Sequence, residues 1–152
     1  MKDKRVNYWL LSAGKDGELS SPFWLEKVNA IGWSKLGDLT LYPRRKDLEA
    51  AHRDAYPEKN PHQRGGDVSR LWSFCHLIQP GELVFIRSYA ALIGIGEVQG
   101  GYEYLAPNTP LRRKLRSAFF EEEYPHIRRV RWLSLGGGMK QSGTLTRLTL
   151  MS

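Results

Sequence analysis

Two apolar runs separated by three residues constrain this fold more than any other stretch. Residues 83–87 (LVFIR) and 91–99 (ALIGIGEVQ) are rich in branched and aromatic side chains, and only Ser88, Tyr89 and Ala90 lie between them. So short a connection joins strands antiparallel, because a parallel pair needs a crossover of a dozen or more residues. The second half of the chain is therefore built on a hairpin of buried strands. Just upstream, Leu71, Phe74, Cys75 and Ile78 recur at i, i+3, i+4 and i+7. That is the stripe of a core-facing helix, expected to be capped by Asp67 and stopped by Pro80-Gly81.

The remaining elements follow from turn chemistry. Residues 6–13 (VNYWLLSA) read as a first strand, closed by a turn at Gly14-Lys15-Asp16-Gly17. Ser20 or Ser21 caps a short helix that has Pro22 in its first turn. Residues 28–33 (VNAIGW) form a second strand, Gly37-Asp38 breaks the chain, and residues 46–56 form a helix with Leu48, Ala51 and Ala55 on one face. Residues 57–66 (PEKNPHQRGG) read as an internal loop, since neither flank is long enough to fold alone. Tyr102 to Leu105 flanks the hairpin, and residues 112–125 (RRKLRSAFFEEEYP) read as loop plus partial helix. Two further strands, 127–133 (IRRVRWL) and 144–150 (TLTRLTL), are separated by a loop at Gly136-Gly137-Gly138. Some six strands and two or three helices in one 152-residue domain predict an α+β fold: a small, curved, mostly antiparallel sheet or barrel flanked by helices.

The composition narrows the function class. No apolar run approaches the roughly 18 residues of a membrane span, and the mean hydropathy is −0.48. The N-terminal MKDKRVNYWLL has too short an apolar segment for a signal peptide, and Cys75 is the single cysteine, which excludes an internal disulfide. A cytoplasmic protein with no membrane partner is expected. The four histidines, at 52, 62, 76 and 126, show no metal-ligand spacing, and no Asp or Glu has Lys two residues on, the pattern of many metal-dependent nucleases. There is no Walker loop and no nucleophile elbow. Glu97 shares a strand face with Ile93 and Ile95, where an arginine or backbone partner is its expected role. An enzymatic reaction through Glu97 or Asp38 lacks a partner group. No metal, cofactor or catalytic residue is expected.

The formal net charge is +7. Residues 1–76 hold 13 basic and 10 acidic side chains, and residues 77–152 hold 10 and 6, so the excess is not a detachable tail. It gathers at Arg44-Arg45-Lys46, at Arg112-Arg113-Lys114-Arg116 and at Arg128-Arg129-Arg131. Such clusters either solvate a face or attract polyanions, whose bound counterions they release.

Among five tryptophans, Trp9 and Trp132 alternate with core positions, and Trp72 lies beside its helix stripe. In the strand of Trp132, Arg129 and Arg131 project to the other face. Trp33 ends a strand between Gly32 and Ser34, where it either closes the barrel end or lines a pocket mouth and stacks on a base. Gly94 and Gly96 strip one strand face, so that a backbone or a planar ligand can approach.

The segments YWLLSAGKDGEL, AIGWSKLGDL, RLWSFCHLIQPGELVFI, LIGIGEVQGGYEY and RRVRWL, in that order, resemble the EVE-type, PUA-like/YTH-like domains of prokaryotic modification-dependent restriction proteins, such as the McrB-like and Mrr-like systems. The resemblance implies a small barrel that reads an extruded, modified base in an aromatic cage. It assigns to the cage Trp33 and Ser34, then Ser12, Ala13 and Gly14 at the end of the first strand, with Asp38 nearby. Tyr102 and Tyr104 stand where a second tryptophan wall would be expected. Arg44, Arg45, Arg112, Arg113, Lys114, Arg129 and Arg131 are the expected phosphate contacts. The implied partner is nucleic acid, DNA ahead of RNA, with any nuclease or NTPase activity residing in a fused or associated module. The alternative is a PUA-like module for structured or modified RNA.

Overall fold

The computed structural model describes residues 7–89, 91–140 and 148–150. The described chain runs through β1 (Tyr8–Ser12), α1 (Ser20–Glu26) and β2 (Val28–Ile31) to two short helical turns at Ser34–Leu36 and Leu39–Leu41. Next come α2 (Arg45–Ala55) and α3 (Pro61–Trp72), which continues into a wider, π-helical turn at Ser73–Leu77. The hairpin β3 (Leu83–Ser88) and β4 (Ala91–Val98) is followed by β5 (Glu103–Tyr104), α4 (Pro110–Lys114) and a small hairpin of β6 (Arg116–Ser117) and β7 (Glu122–Glu123). The long β8 (His126–Lys140) and β9 (Leu148–Leu150) complete the series.

The main sheet is mostly antiparallel, curled into a half-barrel, and flanked by the helices, as the sequence predicts. Its order is β2-β8-β4-β3-β1-β9, with β5 also paired to β8. β3 and β4 pair antiparallel, as their short connection requires. β1 lies parallel to both β3 and β9. It is covered on both faces: Trp9 and Leu11 enter the main core, while Leu10 joins Phe85 and Leu92 in a smaller cluster. The curl has a visible cause in β8, whose register against β4 shifts between Leu92 and Gly94 and again between Ile95 and Gly96. Such irregularities bend a strand and increase its twist. They let β8 pair with β2 and β5 at its beginning and with β4 beyond.

The helix stripe is as predicted. Leu71, Phe74 and Ile78 are fully buried in the main core, and Cys75 packs at its margin. The carbonyls of Phe74 and Cys75, freed at the helix end, are satisfied by the buried guanidinium of Arg128, with Nη2 at 2.8 and 3.1 Å. That arginine leaves the basic cluster at 128–131 and turns inward.

Several expectations are corrected. Residues 61–66 are not loop but the first turns of α3. Asn60 accepts a hydrogen bond from the Gln63 amide at 2.8 Å, the Gln63 side chain accepts one from the Asn60 amide at 2.9 Å, and Pro61 opens the helix. This reciprocal capping box starts the helix in spite of Gly65-Gly66. Asp67 is therefore not a cap; it lies mid-helix and buried. Gly136-Gly137-Gly138 is not a loop but part of β8, held extended by pairing of Leu92 with Met139 and Ala91 with Lys140. Of the expected strand at 144–150, residues 148–150 form β9, and 144–147 lie outside the described residues. β2 stops at Ile31, two residues before Trp33. Gly94 and Gly96 make room for indoles rather than a ligand: a Cβ would lie 2.5 Å from Trp24 at Gly94, and 2.3 Å from Val130 and 2.8 Å from Trp132 at Gly96.

Candidate functional site

A cavity of about 380 Å³ opens where four parts of the chain meet. The end of β1 contributes Leu11, Ser12 and Gly14, and the end of β2 contributes Ala30, Ile31, Gly32 and Trp33. The approach to α3 and its middle turns supply Lys59, Asp67 and Arg70, and the small hairpin supplies Phe120, Glu122 and, just after it, Tyr124. The volume falls at the lower end of the roughly 300–1,000 Å³ common for small-ligand pockets.

Trp33 occupies the rim in a left-handed conformation, φ 56° and ψ 47°. For a bulky residue this costs roughly 1–2 kcal/mol. Three contacts hold it there. Its indole N–H donates to Asp67 Oδ2 at 3.1 Å, the Arg70 guanidinium lies 5.9 Å from its ring centroid, and its carbonyl oxygen lies 3.2 Å from His126 Nε2. The ring remains only half-buried. A strained backbone fixed by surrounding contacts is a common feature of binding sites.

Asp67 is the hub of the α3 wall. Its Oδ2 receives Trp33 and lies 2.9 Å from His52 Nε2 and 3.6 Å from Lys59 Nζ, while Oδ1 receives Arg70 at 2.8 Å. Burial opposes its ionisation, but the hydrogen bonds from His52 and Trp33 and the Lys59 charge hold its carboxyl below the usual range. Facing it from the hairpin, Glu122 Oε1 accepts from the Ser34 amide at 2.9 Å, the Ser34 hydroxyl at 3.3 Å and the Tyr56 hydroxyl at 3.4 Å. Burial, then the Glu122 charge, pushes the Tyr124 phenol up to about 12. Chemically, the lining offers an aromatic face, two cationic donors and carboxylate acceptors.

Of the predicted cage, the structure brings Ser12, Gly14 and Trp33 to the cavity. Ser34 stands one step behind, orienting Glu122. Asp38, Tyr102 and Tyr104 do not line it. Asp38 caps the turn at 39–41 by accepting from the Thr40 amide at 2.9 Å. Tyr102 stacks on His126 and bonds to its Nδ1 at 2.7 Å, and Tyr104 accepts from Arg112 at 3.1 Å. Both tyrosines thus form a layer beneath Trp33 instead of a second wall; the second aromatic wall is Tyr124 and Phe120.

The predicted phosphate contacts divide. Arg112 is buried, donating to Glu123 at 2.8 Å and to the Leu105 carbonyl at 2.9 Å. It is an internal ion pair and presents nothing to a phosphate. Exposed Arg129, Arg131, Lys114 and Arg44 each pair with one carboxylate, respectively Glu103, Glu97, Glu26 and Asp47. Pairs so exposed are weak and open readily to a competing anion. Arg45 is exposed, and Arg113 is exposed with one bond to the Asn108 carbonyl. The Arg131 pair also gives Glu97 the arginine partner expected for it. A second groove, of about 650 Å³, runs past Trp24, Arg129, Arg131 and Trp132.

Sequence reasoning missed Asp67, Glu122, Tyr124, Phe120, Lys59 and Arg70. The one available signal was the i, i+3 pair of Asp67 and Arg70, which places opposite charges on one helix face. Among the described residues, no group of three or more His, Cys, Asp or Glu side chains is placed to hold a metal ion. None of their helices is long and apolar enough to cross a membrane. Residues 9–152 match a family described as a domain of unknown function, DUF8426. No curated protein matches the chain.

Proposed function

This chain belongs to the DUF8426 family, and from the geometry of its cavity we propose that it is a nucleic-acid-binding module that takes one everted, modified base into the Trp33 cavity. The observation that carries this reading is the convergence of Ser12, Gly14 and Trp33, from the ends of two separate strands, on a single cavity of about 380 Å³. The half-exposed indole at its rim is a stacking surface.

The energetics support it. Everting a base costs a few kcal/mol, least for one already poorly stacked, and stacking on an aromatic side chain returns roughly 1–3 kcal/mol. A methyl group seated against the apolar lining adds about 0.8 kcal/mol. The net charge of +7 and the surface arginines supply the sequence-independent attraction to phosphates. In this reading DNA is favoured over RNA, and the module gives a cytoplasmic, modification-dependent restriction or defence system its specificity. Cleavage belongs to a fused or associated nuclease or NTPase module. The resemblance to EVE-type domains points the same way.

The test is a titration of the intact protein with matched DNA duplexes, methylated and unmethylated, and with the equivalent methylated RNA. Tighter binding of the methylated duplex is the expected result. Preference for the RNA moves the module to the PUA-like RNA-binding alternative. Equal affinity for all three reduces it to an electrostatic binder and overturns the proposal.

A further inference from the structure

The polar groups of the cavity are not equally available. Asp67 is 3% exposed, and its two oxygens already face Trp33, His52, Lys59 and Arg70. Glu122 differs. All three of its hydrogen bonds, from the Ser34 amide, the Ser34 hydroxyl and the Tyr56 hydroxyl, fall on Oε1. Oε2 accepts none from the described residues, although Glu122 lines the cavity. Three donors on one oxygen fix the carboxylate and leave the other oxygen as a positioned acceptor. The neighbouring wall is cut back to suit. A Cβ at Gly32 would lie 3.2 Å from both Glu122 Oε2 and Tyr124 Cε1, so the bare glycine keeps that oxygen and the aromatic edge clear.

We infer that Glu122 is the specificity-determining residue of this cavity: its Oε2 accepts a hydrogen bond from an N–H on the edge of a planar, base-like ligand. The assignment rests on the base-binding reading proposed above and names the chemistry that the site selects. A carboxylate only accepts. A ligand edge that presents oxygen or a ring nitrogen lone pair to Oε2 meets repulsion and leaves a desolvated carboxylate unpaired. A ligand with an exocyclic amino or an imino N–H gains a charge-assisted bond. Sites built to bond a polar group discriminate far more strongly against its absence than against an extra methyl. Lys59 and Arg70 lie on the α3 wall of the same cavity, where they are suited to the acceptor atoms of the same ring. Ser34 acts as a positioning residue, holding Oε1.

The experiment uses isosteric donor deletion on the intact chain. N6-methyladenosine and its 6-methoxypurine counterpart differ only by N–H against O, as do N4-methylcytidine and its 4-methoxy counterpart. Calorimetric titration of the four nucleosides is expected to show that the N–H member of the pair that binds does so at least about tenfold more tightly than its O counterpart. In Glu122→Gln, which keeps an oxygen but adds an amide N–H donor, that preference is expected to fall to within about threefold, because either edge then finds a partner. Ser34→Ala is expected to weaken the same preference while leaving the fold intact. Equal affinity of the N–H and O members in the unaltered protein overturns the Glu122 assignment and leaves the stacking slot standing. So does a preference that survives unchanged in folded Glu122→Gln. Failure of all four nucleosides to bind overturns the base-binding reading itself, and the assignment with it.

Discussion

His126 Nε2 lies 3.2 Å from the carbonyl oxygen of Trp33, which fixes the tautomer of a buried imidazole. The carbonyl can only accept, so Nε2 carries the proton. Nδ1 then accepts from the Tyr102 hydroxyl at 2.7 Å, and the Tyr102 oxygen in turn accepts from the Leu39 amide at 3.1 Å. A relay of three bonds thus ties the strained backbone of Trp33 to the turn at 39–41. Tyr102, expected as a cage wall, serves the site through this relay.

The relay predicts an acid-sensitive fold. Burial pushes the His126 imidazole down from its ordinary 6.5 to about 4. Between these values the unfolded chain takes up a proton that the folded chain refuses. Stability therefore rises with pH through this window and is lost as pH falls toward 4, by on the order of 3 kcal/mol. Asp67, with its carboxyl held below 3.8, adds its own loss only at still lower pH. Urea midpoints measured from pH 7 to 4 should show the slope, and His126→Gln should flatten it at the cost of lower stability at pH 7.

Overpacking should expose the seats of the two indoles. A Cβ at Gly96 meets Val130 and Trp132, and one at Gly94 meets Trp24, all inside ordinary contact distance. Gly94→Ala and Gly96→Ala are each expected to cost about 1–3 kcal/mol. Thermal unfolding measures this directly, and a shift in tryptophan emission should accompany it, because Trp24 and Trp132 pack edge to face at 4.4 Å.

Neighbouring arginines should behave as opposites. Arg112→Ala removes a buried guanidinium that bonds the partly exposed Glu123, the Leu105 carbonyl and Tyr104, and is expected to lose about 2 kcal/mol of stability. Arg113→Ala should leave stability within about 0.5 kcal/mol. On a DNA duplex, the exposed Arg113 variant should bind more weakly at every sequence and lower the salt slope by about 1. Denaturation and salt-dependent titration of the two variants separate the roles.

Local chemistry made part of this molecule legible. The β3–β4 hairpin followed from a connection too short for anything else, and the Leu71, Phe74 and Ile78 stripe from helical spacing. Trp33 was visible because a strand end beside a glycine marks a pocket rim, whereas Ser12 and Gly14 were reached only through the resemblance to EVE-type domains. The start of α3 was hidden because Gly65-Gly66 outweighs a capping box on propensity alone, and Gly136-Gly137-Gly138 reads as a loop until β4 pairs with it. The acidic walls were illegible for a different reason. Asp67 meets Trp33 across 34 residues, and Glu122 meets Ser34 across 88. In the sequence, Glu121-Glu122-Glu123 is a solvated charge run. In the fold, Glu122 turns to Ser34 and Glu123 to Arg112.

The most direct measurement is the ratio of affinities for a methylated and an unmethylated duplex, taken at one salt concentration for the unaltered protein and for Trp33→Ala. Loss of the indole should cost the methylated duplex roughly 1–3 kcal/mol and bring the ratio close to one. Background binding and its salt slope should stay where they were, in a variant that still unfolds cooperatively. A folded Trp33→Ala protein that keeps its preference, or a variant that does not fold at all, contradicts the placement of Trp33 as the stacking face.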